Sequence, residues 1–180
     1  MVLRGAVPTE LDPGLLKPHE VKGNTRILVI VAPYYADVAN ALLKGARGTL
    51  NEASASYECV TVAGALEIPQ ALSQAVAAGL IPRKSGGDGL DGVVAIGCVI
   101  RGETSHYDIV CNSSNHWLME TATRHAIPVG NAILTVDTHA QAMVRADGSR
   151  ESKGAGAARA CLGVIAIGRE FAKRKPSTRS

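Results

Sequence analysis

The run RILVIVA, residues 26–32, decides the fold class. After Arg26 every residue is apolar and most are β-branched, with no alternation of polar positions, which predicts a strand buried on both faces under helices. Moving outward, Pro33 breaks the run, and residues 37–50 place Val38, Leu42 and Leu43 on one helical stripe that Gly48 and Asn51 bring to an end. The alternation then repeats. YECVTVAG from Tyr57 reads as a strand, a helix comes next from about Pro69 through Ala78, and SGGDG at residues 85–89 is a linker. A third strand is predicted over residues 92–100, then a helix from Ile109 that turns Val110, Trp117 and Leu118 inward. PVGNAILTV at residues 128–136 makes a fourth strand, residues 138–146 a short helix, and residues 154–172 a closing helix with Ala158, Cys161, Leu162 and Ile165 at helical spacing.

Successive βα units imply a parallel sheet with right-handed crossovers. The expectation is a single-domain, doubly wound (flavodoxin-like) α/β fold: four parallel strands flanked by helices on both faces, with an N-terminal arm. Residues 1–25 mix Pro8, Pro13 and Pro18 with glycines and polar residues, and read as an arm that is loose or packs on a neighbour. Residues 26–172 form the domain, and KRKPSTRS at residues 173–180 is a basic tail.

Composition agrees. The chain has 180 residues, 46% of them hydrophobic, enough for one self-sufficient core, and only 3% aromatic, so that core is aliphatic. The basic excess behind the net charge of +3 lies notably in KRKPSTRS from Lys173, and no aromatic residue interleaves that run to stack bases, which argues against nucleic acid. Cys59, Cys98, Cys111 and Cys161 form no CxxC pair, which argues against a zinc site or disulfide framework and for reduced thiols in the cytoplasm. The opening MVLRGAVPTE does not read as a secretory signal, and the apolar runs are too short to span a membrane.

Ligands of such sheets sit beyond the carboxyl ends of the strands. Three strands end unusually, in APYYAD (32–37), VAGALEIP (62–69) and GCVIRGETSHYD (97–108), and all three are expected on one rim. In the last, Gly102 lets backbone approach a ligand while Glu103, Thr104 and Ser105 offer N–H groups and hydroxyls ahead of a helix, an arrangement suited to phosphate. His106 supplies an imidazole, the side chain suited to proton transfer, although a lone loop histidine is often passive. Tyr34 either stacks a flat heterocycle or covers the core edge. Glu67 either accepts hydrogen bonds from a ligand or complements the start of the helix at Pro69. Arg145 either caps the end of its helix or pairs with a phosphate ester.

Taken together, VAGALEIP, GCVIRGETSHYD and PVGNAILTVDTHAQAMVRA resemble lumazine synthase over roughly residues 26–171. The resemblance implies condensation of 5-amino-6-(D-ribitylamino)uracil with 3,4-dihydroxy-2-butanone 4-phosphate to 6,7-dimethyl-8-ribityllumazine, phosphate and water, with no metal or organic cofactor. It implies that Tyr34 stacks on the pyrimidine, that Ala65, Leu66 and Glu67 meet the ribityl chain and ring, and that Cys98, Val99 and Ile100 lie under the ring. Glu103 and Thr104 then match the phosphate loop, His106 the proton-transfer residue, and Arg145 a phosphate-binding arginine offered from the adjacent subunit. Lys153 matches a lysine near the ring. Asn131 stands where many members carry Phe against the partner's ring, Ala63 replaces a common Pro, and Pro33 a common Arg.

An intersubunit site implies a homo-oligomer, and the resemblance implies that it is a pentamer or an assembly of pentamers, with riboflavin synthase as a candidate partner. The turn DGSRESKG at residues 147–154 lacks the GTKAGN-like pattern of shell formers, which favours a pentamer or a dimer of pentamers. The competing class is a non-catalytic lumazine- or flavin-binding paralogue. The acid-poor surface and the His106 loop do not call for a flavodoxin-like electron carrier, and a purely structural shell protein would bind neither substrate.

Overall fold

In a computed structural model, residues 24–83 and 87–174 are described. All of the expected arm but residues 24 and 25, part of the 85–89 linker and most of the basic tail lie outside the described residues. The chain runs β1 (Arg26–Val31), α1 (Ala36–Glu52), β2 (Ser56–Thr61), α2 (Glu67–Ala77), β3 (Gly92–Ile100), α3 (His106–Arg124), β4 (Val129–Val136), α4 (His139–Ala146) and α5 (Lys153–Ala172). The four strands form one all-parallel sheet in the order β2-β1-β3-β4.

Strand pleating divides the core in two. On one face Ile27, Val29, Val31, Val94 and Ile96 pack with α1, α4 and α5; on the other Leu28, Ile30, Val93 and Ala95 pack with α2 and α3. This is the doubly wound arrangement expected, with helices on both faces. The central strands β1 and β3 are buried almost throughout, which explains their unbroken apolar runs, whereas β2 on the edge is largely exposed and correspondingly mixed in sequence.

The face under α5 is built from small residues because the backbones come very close. A side-chain carbon at Gly154 would collide with the backbone of Leu42 in α1, and one at Gly130 with the backbone of Ala157 in α5. Capping residues start α5 and α4: the Ser152 hydroxyl accepts from the Ala155 N–H (3.3 Å), and the Thr138 hydroxyl from the Gln141 N–H (3.2 Å).

Two readings of α3 change. The helix begins at His106 rather than near Ile109, its first turn holding Asp108 where an acidic side chain complements the helix start. Trp117 does not turn inward; it is 55% exposed, and Leu118 and Ser114 fill the buried stripe instead. With Asn112, Ser113, Ser114 and Asn115 in succession, α3 carries no clear apolar period from which its inner face could be read.

Candidate active site

The carboxyl ends of β1, β2 and β3 and the first turn of α3 enclose a pocket of about 480 Å³. Its location is a consequence of the topology. Parallel strands all end on the same rim, and the loops after β1 and β3 diverge toward opposite faces, opening a crevice.

Each wall has its own chemistry. After β1, Tyr34 stands 75% exposed at the mouth, its ring edge-on to Tyr35 at 5.1 Å between centroids. Tyr35 lies deeper, and burial, with Tyr34 beside it, pushes its phenol above the ordinary tyrosine range, so it is a neutral hydrogen-bond donor at physiological pH. Behind it His139 Nε2 meets Asp37 Oδ2 at 2.8 Å, fastening the first turn of α1 to that of α4.

After β2, the backbone turns through Ala63 and Gly64 into α2, with the Glu67 N–H donating to the Gly64 carbonyl at 3.2 Å. Glu67 is the first residue of that helix and also lines the pocket with Ala65 and Leu66. The helix-start role and an acceptor role toward a ligand are therefore compatible, since the carboxylate has oxygens for both.

The end of β3 supplies the floor through Cys98, Val99 and Ile100. Burial pushes the Cys98 thiol up to about 11, so it is a protonated, apolar floor group and not a nucleophile. Thr104 and Gly102 then form one lip, and His106, Tyr107 and Val110 continue along α3. No side chain caps the first N–H groups of α3. Those donors, the helix dipole and the Thr104 hydroxyl together suit an anion, and the imidazole of His106 sits at the same place.

The structure thus brings together Tyr34, Ala65, Leu66, Glu67, Cys98, Val99, Ile100, Thr104 and His106. It leaves the others outside this pocket. Glu103 is exposed on the loop and does not line the cavity. Asn131 is exposed on β4, its Nδ2 donating to Asn115 Oδ1 (2.6 Å) and its Oδ1 accepting from the Ile133 N–H (2.8 Å). Arg145 is exposed on α4 with Nη1 donating to the Gln141 carbonyl (3.1 Å), and Lys153 is exposed at the start of α5.

The sequence model of the 6,7-dimethyl-8-ribityllumazine synthase family matches residues 24–169. The chain belongs to this family. It is 49% identical to the 6,7-dimethyl-8-ribityllumazine synthase of Methylorubrum populi over 150 residues, covering 83% of this chain and 86% of that protein. It is 46% identical to the enzyme of that name from Agrobacterium fabrum over 151 residues, 84% of this chain and 95% of that one. The match to its namesake from Nitrobacter hamburgensis is 44% over 158 residues, 88% and 94% of the two chains.

In this member of the family, sequence reasoning passed over Tyr35, Tyr107 and Val110, which also line the pocket. For the last two a signal was available: a helix begun at His106 carries residues 106, 107 and 110 on adjoining positions of one side, and starting it at Ile109 hid this. Tyr35 left no such signal, because the direction of a side chain just past a strand depends on the turn.

Proposed function

We propose that the protein condenses 5-amino-6-(D-ribitylamino)uracil with 3,4-dihydroxy-2-butanone 4-phosphate to give 6,7-dimethyl-8-ribityllumazine, phosphate and water, in riboflavin biosynthesis. The observation that carries this reading is the convergence of GALEIP and VIRGETSH, under Tyr34, on one pocket of a chain that belongs to the family. The pocket has an aromatic ring and apolar floor for a flat heterocycle, a carboxylate for its N–H and hydroxyl groups, and an anion-accepting helix start for the phosphate.

In this reading Tyr34 covers the pyrimidine while Cys98, Val99 and Ile100 lie beneath it, and Ala65, Leu66 and Glu67 meet the ring and ribityl chain. Thr104 and the first N–H groups of α3 hold the phosphate, with Glu103 on the same loop. The pyrimidine 5-amine attacks the ketone, and water leaves as the imine forms. Elimination then breaks the bond from carbon to the phosphate oxygen, and the ribityl-bearing nitrogen adds to the remaining carbonyl and closes the ring with loss of a second water. Each of these steps moves a proton, and His106 is the group within the pocket suited to carry it. General acid and base help contributes about 10² to 10⁴-fold, so juxtaposing the two substrates supplies most of the acceleration.

Arg145 and Asn131 serve a neighbouring subunit's pocket in this reading, in a pentamer or an assembly of pentamers. Support for assembly comes from the apolar side chains left outward: Ile109, Trp117 and Met119 on α3, Val144 on α4 and Val60 on the open edge of β2. Among the described residues no helix is long and apolar enough to cross a membrane. The cysteines are free thiols, which supports a reducing cytoplasm.

The test is turnover of the two substrates, tracked by lumazine absorbance and by phosphate release. One phosphate per lumazine is expected. Tight binding of the lumazine with no product formed from the two substrates would instead identify a binding protein.

A further inference from the structure

We propose that Arg101 is the positioning residue of the phosphate loop, setting the geometry of residues 102–105 without itself touching the substrate. The inference rests on the proposed function, in which this loop holds phosphate.

The loop needs an external fastening. Residues 102–105 are exposed, and a side chain begun at Gly102 would meet nothing within 4 Å. Among the described residues, no backbone hydrogen bond ties Gly102, Glu103 or Thr104 to the rest of the chain. The residue before the loop holds it instead. The Arg101 N–H donates to the Val136 carbonyl at the end of β4 (2.9 Å), and its Nε donates to Asp137 Oδ1 (3.0 Å). Its Nη1 reaches Asp108 Oδ1 at 3.5 Å, and its guanidinium carbon lies 4.0 Å from the centre of the Tyr107 ring. One side chain therefore joins the start of the loop to the two residues just past His106 and to the adjacent strand.

The frame extends further. The Asp137 N–H donates to Gln141 Oε1 (2.9 Å), and the Gln141 carbonyl accepts from Arg145 Nη1 (3.1 Å). The same network thus reaches the arginine proposed as a phosphate partner for the next subunit.

Arg101 is not a ligand in this arrangement. Its charge faces two carboxylates, and it does not line the pocket. The guanidinium suits this work because it meets Asp137 and Asp108 through different nitrogens while its carbon lies over the Tyr107 ring; an ammonium offers a point charge and keeps only part of these contacts. Exposed ion pairs add little stability, so the consequence is expected in the placement of the loop and not in the fold.

The experiment is steady-state kinetics of the full chain with each substrate varied in turn, on Arg101→Met, Arg101→Lys and Asp137→Asn. For Arg101→Met the KM for the phosphate-bearing ketone is expected to rise about five-fold and that for the pyrimidine to stay within about two-fold. Arg101→Lys recovers part of this shift, and Asp137→Asn moves the ketone KM in the same direction by less. If both KM values move together, or neither moves, the proposal is overturned. If Arg101→Met loses its far-UV dichroism, the kinetic split in Asp137→Asn decides by the same criterion. Calorimetric titration with inorganic phosphate separates this proposal from the proposed function. A wild-type chain without turnover defeats the latter, while equal phosphate affinity in wild type and Arg101→Met defeats the former.

Discussion

Tyr34, Glu67 and His106 come from separate stretches of the chain and meet in one pocket, whereas Asn131 and Arg145, which belong to a βα unit of the same kind, do not join them. The difference is topological. β1 and β3 lie side by side at the centre of the sheet and send their helices to opposite faces, opening a crevice between them. β4 is an edge strand, and α4 packs beside α1 and α5, so Asn131 and Arg145 stay outside the crevice. Identical local grammar yields a site at one place on the sheet and an outward-facing surface at another. In the reading proposed here, one copy of the chain carries one half of the site in its crevice and the other half on its edge.

The sharpest way to break this division is to damage each half and mix the damaged chains. His106→Ala is expected to lower kcat by about 10²-fold with residual turnover, since proximity is left intact. Complete loss with unchanged folding and substrate binding would refute that division of labour. Arg145→Ala should raise the KM for the phosphate-bearing substrate by about ten-fold, the loss of a charge-assisted contact. Dissociating and reassembling the two variants together should then produce activity above that of either alone, because some interfaces regain both intact halves. No recovery, with mixed oligomers verified by native mass spectrometry, would mean that Arg145 acts within its own subunit or not at all.

Smaller effects test the chemistry of the crevice itself. The Cys98 thiol, pushed up to about 11 by burial, is only about one part in a thousand ionised at pH 8. Iodoacetamide should therefore label exposed Cys59 well before Cys98, as peptide mapping would reveal; early loss of the Cys98 peptide contradicts a buried, protonated floor. At the rim, the Val38 N–H, with His139 facing it, holds the Asp37 carboxyl below the usual carboxylate range. A lowered folded pKa adds stability above the unfolded value, about 4 for Asp, and that contribution disappears as the pH falls through the folded value. Asp37→Asn is thus expected to flatten slightly the acid limb of melting temperature against pH, and an unaltered limb would remove the rim pair from any stabilising role.

The central strands were legible because burial on both faces leaves no room for ambiguity: 27–32 and 92–100 are apolar whichever way each side chain points. The three segments that end strands were legible for the same reason, since a parallel sheet delivers them to one rim. Trp117 was not, because a helix with polar residues on every side gives no inward direction until its neighbours are present. Tyr35 escaped because its placement depends on the turn after β1, and the position of Arg145 depends on which strand is the edge, a property of the sheet as a whole.

The close approach of α5 to α1 and β4 divides the molecule for anyone who would redesign it. At Gly154 and Gly130 the neighbouring backbone occupies the space a side chain would need, so even alanine requires helices to separate. The exposed loop at residues 102–105 meets no such wall. Libraries aimed at new substrates can diversify that loop, but a library that touches the two glycines, or buried Ala65, selects first for chains that fold.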